Sequence, residues 1–151
     1  RHADADAEAH HVAGLLKALI TQGVNAEDIA VFVRSDAELN RARQAVAASD
    51  LPALELSERV VERNGRVSIG TMHLAKGLEF KAVMAMACDT NVLPLDDRIQ
   101  TAADEVELDE AYQTERHLLY VACTRARDVL YVTGVAPASE FLADLEAKQA
   151  G

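Results

Sequence analysis

The sequence predicts an α/β domain with a mostly parallel sheet flanked by helices, and three observations carry that prediction. Two short apolar runs, Ile29–Val33 (IAVFV) and Ala82–Ala87, lack polar alternation, as strands covered on both faces do. Segments with helical periodicity stand between the strand-like runs, which is the pattern of βαβ units. Ala, Val and Leu dominate, whereas the aromatics are 3 Tyr, 3 Phe and no Trp. Helices packed on a compact aliphatic sheet satisfy such a composition. At 151 residues the chain is long enough for one real core. It contains no repeat, low-complexity stretch or long linker, so residues 1–151 read as a single domain.

The elements follow in order. Asp4–Gln22 is periodic through Val12, Leu15, Leu16 and Leu19 and stops at Gly23, a helix with a glycine terminator. The strand Ile29–Val33 runs straight into Arg34. Ser35-Asp-Ala-Glu38 then has the form of a capping box opening a helix to about Ala48. Leu51–Leu56 is a short strand candidate, Asn64-Gly65 is a turn, and Arg66–Thr71 is a strand entering the loop His73–Glu79. After the Ala82–Ala87 strand come Pro94, an acidic stretch, a helix over Asp109–Ala126, a strand at Asp128–Thr133 and a final helix beyond Pro137. A strand–Arg–helix junction such as Val33-Arg34-Ser35 is a favourable place for ligands, because open parallel sheets bind them beyond the carboxyl ends of their strands.

Charge and hydropathy restrict the function. A net charge of −10 and a pI near 4.9 argue against a stand-alone nucleic-acid binder, which needs a basic footprint to neutralise phosphates. Seven of the carboxylates fall within Asp96–Glu110, read as a solvated loop leading into a helix whose N-terminus favours Asp and Glu. No apolar run approaches the roughly 18–20 residues that span a bilayer, and no signal peptide is visible. Cys88 and Cys123 lie in apolar surroundings and at no metal-ligand spacing, so buried free thiols in a reducing cytoplasm are expected. The chain begins at Arg1 rather than Met, which suggests a piece of a longer polypeptide.

Glu115–Arg127 (ERHLLYVACTRAR) is the most informative segment. At about 100° per residue, Leu108, Ala111, Leu118, Leu119, Ala122 and Ala126 form one apolar stripe. Arg116 and Arg127 fall opposite it. Arg125 lands beside Leu118 and Ala122 at the stripe's edge, and Glu115 lands close to its centre. A guanidinium cannot shed its proton and is costly to bury unpaired. An anion must therefore meet Arg125, either a carboxylate of this chain or a group on a ligand. Glu115 does not serve along the helix, since ten residues at a ~1.5 Å rise separate the two by about 15 Å; a structural network is expected to use it.

Thr71–Phe80 reads TMHLAKGLEF, a strand-end loop carrying Thr, His, Lys and Glu, with no second His or Cys at the spacing of a metal site. Arg66–Phe80 resembles motif V of the UvrD/Rep-type superfamily 1 DNA helicases, and Glu115–Arg127 resembles their motif VI. Ile29–Arg34, continuing into SDAELNRA, is similar more loosely to motif IV. The three motifs stand in the family's order.

The resemblance implies the second RecA-like motor domain, called 2A, with the P-loop NTPase type of mostly parallel sheet. In that family ATP lies between two RecA-like domains. The resemblance matches Arg125 to the motif VI arginine that reaches the γ-phosphate and Arg34 to a motif IV arginine of similar role. Glu79 matches the glutamate near the nucleotide ribose. Lys76 and Gly77 match the adjoining loop, while Thr71 and His73 match positions beside single-stranded DNA. An arginine delivered from a neighbouring domain can contribute about 10³–10⁵ in rate to phosphoryl transfer.

Two departures qualify the match. The sequence holds no GxxxxGK[ST] phosphate loop and no acidic Mg²⁺ motif, so ATP and Mg²⁺ are expected mainly on an N-terminal motor domain of the same polypeptide, and this chain alone is expected to be inactive. Only about twenty residues separate Ala45 from Arg66, too few for the accessory 2B domain that Rep-type enzymes insert there. A different reading is a degenerate RecA-like module used as a scaffold; the presence of Arg34, Glu79 and Arg125 together argues against it.

Overall fold

A computed structural model describes residues 3–59, 62–143 and 145. The elements are α1 (Ala5–Thr21), β1 (Ile29–Val33), α2 (Leu39–Ala48), β2 (Ala53–Glu55), β3 (Val67–Thr71), β4 (Phe80–Ala85), α3 (Asp96–Gln100), α4 (Glu105–Cys123) and β5 (Ala126–Val132). The five strands form one sheet in the order β2-β3-β1-β4-β5, and every pairing is parallel. The α/β class with a parallel sheet is therefore as expected.

Alternation along β1 shows why its apolar run is continuous. Ile29, Val31 and Val33 enter the core under α1 and α2, with Val12, Leu16, Leu19, Ala42 and Val46. Ala30 and Phe32 enter the opposite core, with Met72, Phe80, Leu119, Ala122 and Phe141. Neither face has room for a polar side chain. Each fully covered Leu, Val or Phe gains roughly 1.5–3 kcal/mol over exposure, so the central strands anchor both layers.

Boundaries moved where local hydrogen bonding outweighed periodicity. α4 begins at Glu105 rather than Asp109 because Asp104 caps it, its side chain accepting from the Glu107 N–H at 2.8 Å. Glu107 reaches back in turn to accept from the Ala103 N–H at 2.7 Å. The acidic stretch is thus a short helix and a capped helix start. α4 ends at Cys123, and Arg125 lies in the turn before β5 rather than on the helix. The Ser35–Glu38 box does not form, since Ser35 Oγ donates to the Glu38 carboxylate at 2.7 Å and the segment winds as a 3-10 turn ahead of α2. Of the helix expected after Pro137, 141–143 are helical and the remainder lies largely outside the described residues.

At the carboxyl end of β5 a β-carbon on Gly134 would sit 2.4 Å from the Cys88 carbonyl oxygen. Only glycine permits that approach. It keeps the segment after β4 beside the end of β5, where Cys88 N–H donates to the Thr133 carbonyl at 3.0 Å.

Candidate functional site

The strand register sorts the candidate residues onto two edges of the sheet. Val33 pairs with Thr71, so Arg34, Thr71 and the 3-10 turn bearing His73 gather at the carboxyl ends of β1 and β3. There Arg34, only 4% exposed, is closed against α4. Its Nε donates to one Glu115 oxygen at 2.8 Å and its Nη2 to the other at 2.7 Å. Such a fork-to-fork pair is the strong form of a charge-assisted contact. Glu115, wholly buried, also accepts from the Leu95 backbone N–H at 2.6 Å. The remaining Nη1 of Arg34 stands 3.3 Å from Nε2 of the His73 imidazole. The charge found on the apolar stripe of α4 is accounted for by this network, as expected for Glu115.

Arg125 occupies the other edge. Its carbonyl accepts from the Phe80 N–H at 2.9 Å, and Ala126 pairs with Phe80, so Glu79 and Arg125 stand together at the amino ends of β4 and β5. The Arg125 side chain is partly exposed. Among the described residues it meets no carboxylate: Nη2 donates to Thr124 Oγ1 at 3.3 Å, and the buried Nε has no partner. The Glu79 carboxylate is exposed and pairs with no cation among the described residues. Between the edges, the exposed Lys76 and Gly77 turn the chain, with Gly77 at φ +82°, a left-handed backbone that strains any other residue.

Arg34 and Arg125 therefore do not converge within this domain. With Ile29 level with Ala82 and Phe80 level with Ala126, eight residue steps of ~3.3 Å place them roughly 25 Å apart along the strands. Arg34, expected beside Arg125 at one γ-phosphate, lies instead at the opposite edge in this domain, with its guanidinium held by Glu115 and against His73. The sequence placed an arginine at a strand end; it did not show that the partner anion lay 81 residues onward.

A groove of 520 Å³ follows the 73–80 loop from one edge towards the other, lined by Leu56, Arg59, Arg63, His73, Lys76 and Phe80 among others. Arg63 caps the Phe80 ring at 4.6 Å and donates from Nη1 to the Glu79 carbonyl at 3.3 Å. The groove is thus rich in cations on a chain that is acidic overall. Among the described residues no group of three or more His, Cys, Asp and Glu could hold a metal ion, and no helix is long and apolar enough to cross a membrane.

Sequence reasoning overlooked a second buried network beneath α1. Glu8, fully buried, accepts from Arg41 Nη2 at 2.6 Å, from the Ala87 N–H at 3.0 Å and from Thr133 Oγ1 at 2.8 Å. Arg41 also holds Asp89 at 2.6 Å. Burial alone would lower the Arg41 pKa, but its hydrogen bonds to the Asp89 and Glu8 carboxylates, with their negative charge, raise it overall. The signal was available: Glu8 lies one turn before Val12 on the apolar face of its helix, as Glu115 does on α4.

An all-parallel five-stranded sheet in the order β2-β3-β1-β4-β5, covered by helices on both faces, is the architecture of a RecA-like α/β domain. The sequence profile of the UvrD-like helicase C-terminal domain matches residues 49–136, and the chain belongs to that family. It is 36% identical over 109 residues to a probable DNA helicase II homolog of Rickettsia conorii, covering 71% of this chain and 16% of that one. It is 39% identical over 85 residues to the ATP-dependent DNA helicase PcrA of Staphylococcus aureus, covering 56% of this chain and 11% of that protein. The chain thus spans between a tenth and a sixth of these relatives' length. In fold it resembles the crystal structure of the C-terminal domain of a possible DNA helicase from Lactobacillus plantarum WCFS1, with a TM-score of 0.65 at 23% identity over 94% of this chain and 75% of that one.

Proposed function

We propose that this domain is the C-terminal motor domain of an ATP-dependent DNA helicase or translocase. It acts against an N-terminal RecA-like domain of the same polypeptide that carries the phosphate loop and most of the ATP and Mg²⁺ contacts. In this reading Arg125 reaches across the cleft to the γ-phosphate, Glu79 faces the ribose, and Lys76 and Gly77 shape the loop beside them. Thr71 and His73 contact single-stranded DNA at the opposite edge. The observation that carries the reading is Arg125, a cation with a buried, unpartnered Nε and no carboxylate among the described residues. Such a group is suited to an anion from outside the domain, where it would offset charge developing on the transferred phosphoryl group.

Separate edges for nucleotide and DNA suit a motor. The 73–80 loop spans the distance between them, so a shift at Glu79 on nucleotide turnover would be felt at His73 through the backbone of a single loop. An acidic domain is compatible with this role, because the DNA track needs only a few backbone contacts from each domain.

The test uses the full-length parent. Arg125→Ala should abolish ATP turnover while ATP binding is largely retained; equal loss of both would refute the γ-phosphate role. The 151-residue chain alone should show no appreciable Mg-ATPase activity. A phosphate loop encoded upstream would favour the motor over an inactive scaffold.

A further inference from the structure

The bidentate pair between Arg34 and Glu115 leaves one guanidinium nitrogen, and that nitrogen faces His73 Nε2 at 3.3 Å. A guanidinium has donors only and does not deprotonate in proteins. The imidazole nitrogen it faces must therefore offer a lone pair. The proton of a neutral ring then resides on Nδ1, and a doubly protonated ring would turn an N–H against a fixed N–H. The other charged groups near the ring reinforce this: Arg59, Arg63 and Lys76 line the same groove against the single carboxylate of Glu58, and the carboxylate behind Arg34 is already consumed by Arg34 and the Leu95 N–H.

We propose that Arg34, held by Glu115, is a positioning residue that fixes His73 as the neutral Nδ1–H tautomer. His73 then meets single-stranded nucleic acid as one directed, uncharged hydrogen-bond donor rather than as a cation. The ligand atom it selects is an acceptor, a phosphate or base oxygen. The contact adds orientation without adding to counterion release, because no phosphate charge is neutralised by it. The second half of this inference rests on the DNA-contacting role proposed for His73; the tautomer does not.

Long-range ¹⁵N–¹H correlation spectroscopy of the 151-residue chain near pH 7 reads the tautomer directly. His73 should show a protonated Nδ1 and an unprotonated Nε2. In Arg34→Met/Glu115→Gln, which removes both charges together and keeps an acceptor for Leu95, the ring should move towards the Nε2–H-rich mixture of a free histidine. A wild-type ring that is already Nε2–H or imidazolium overturns the proposal, whether or not the double variant folds. In the full-length parent with labelled histidine, addition of oligothymidylate should then perturb the His73 Nδ1–H resonance and leave Nε2 unprotonated. An Nδ1–H tautomer untouched by saturating oligothymidylate would sustain the lock and overturn the DNA contact, so the two failures are distinguishable.

Discussion

The two edges of the sheet treat an arginine in opposite ways. At the carboxyl edge Arg34 is buried, its fork closed on a fully buried Glu115 and its last nitrogen set against His73. At the amino edge Arg125 is partly exposed and lacks a carboxylate among the described residues. Both follow or precede a strand, and both stand in segments resembling helicase motifs. What separates them is whether a helix brings an anion within reach. α4 lays Glu115 against Arg34 in mid-span, but it has ended before Arg125, and no carboxylate follows at that turn. A cation whose charge is internally neutralised holds structure; one left open can answer a ligand.

The largest effect that would break this comparison lies at the open edge. Arg125→Ala in the full-length parent should lower ATP turnover by about 10³–10⁵ while moving the domain's stability by less than ~0.5 kcal/mol. Steady-state ATP hydrolysis and denaturant unfolding would measure the two. A large loss of stability would make Arg125 a structural residue like Arg34.

At the closed edge the pattern should invert. Glu115→Ala leaves Arg34 charged, buried and unpaired, and should cost about 3–5 kcal/mol in urea unfolding. Replacing both charges, as in Arg34→Met/Glu115→Gln, should cost distinctly less. If the double variant were as unstable as Glu115→Ala, the penalty would arise from packing rather than from an orphaned charge.

The two thiols sharpen the contrast through pH. Cys88, past the end of β4, is fully buried, and burial foremost pushes its pKa well above the ordinary value. Cys123, at the end of α4, is raised by burial from 9.0 to about 11. Because the folded thiol resists ionising, the unfolded chain loses its proton first as pH rises. Stability from Cys123 is present below pH 9 and declines between 9.0 and about 11, by roughly 2–3 kcal/mol. Unfolding monitored across that range should show a shallower decline in Cys123→Ala, the remainder being the contribution of the more deeply buried Cys88, and alkylation should reach Cys123 before Cys88. The smallest effect is expected in the connecting loop. Gly77→Ala, at φ +82° in open space, should cost about 1 kcal/mol by chemical denaturation. A neutral result would mean the turn adapts.

Much of this was legible in the chain itself. Continuous apolar runs announced the central strands, since a strand covered on both faces has no use for polar residues. Glu115 announced itself by standing on the apolar stripe of its own helix, and Glu8 carried the same signature unread. Helix starts were less legible, because α4 begins where Asp104 and Glu107 satisfy backbone N–H groups and not where hydrophobic periodicity first becomes clear. The family resemblance located every candidate residue, but it could not say which cations were free.

Sequence alone determined the α/β class, the membership signalled by TMHLAKGLEF and ERHLLYVACTRAR, and the presence of charges that a core would not tolerate alone. Tertiary structure decided how those charges are spent. Arg34 and Glu115 are 81 residues apart in sequence, and only the parallel register and the antiparallel return of α4 bring them together. Periodicity reports which face a residue occupies; it carries no record of what the neighbouring element sets against that face. That is why a local reading grouped Arg34 with Arg125, and why the folded sheet placed them at opposite edges.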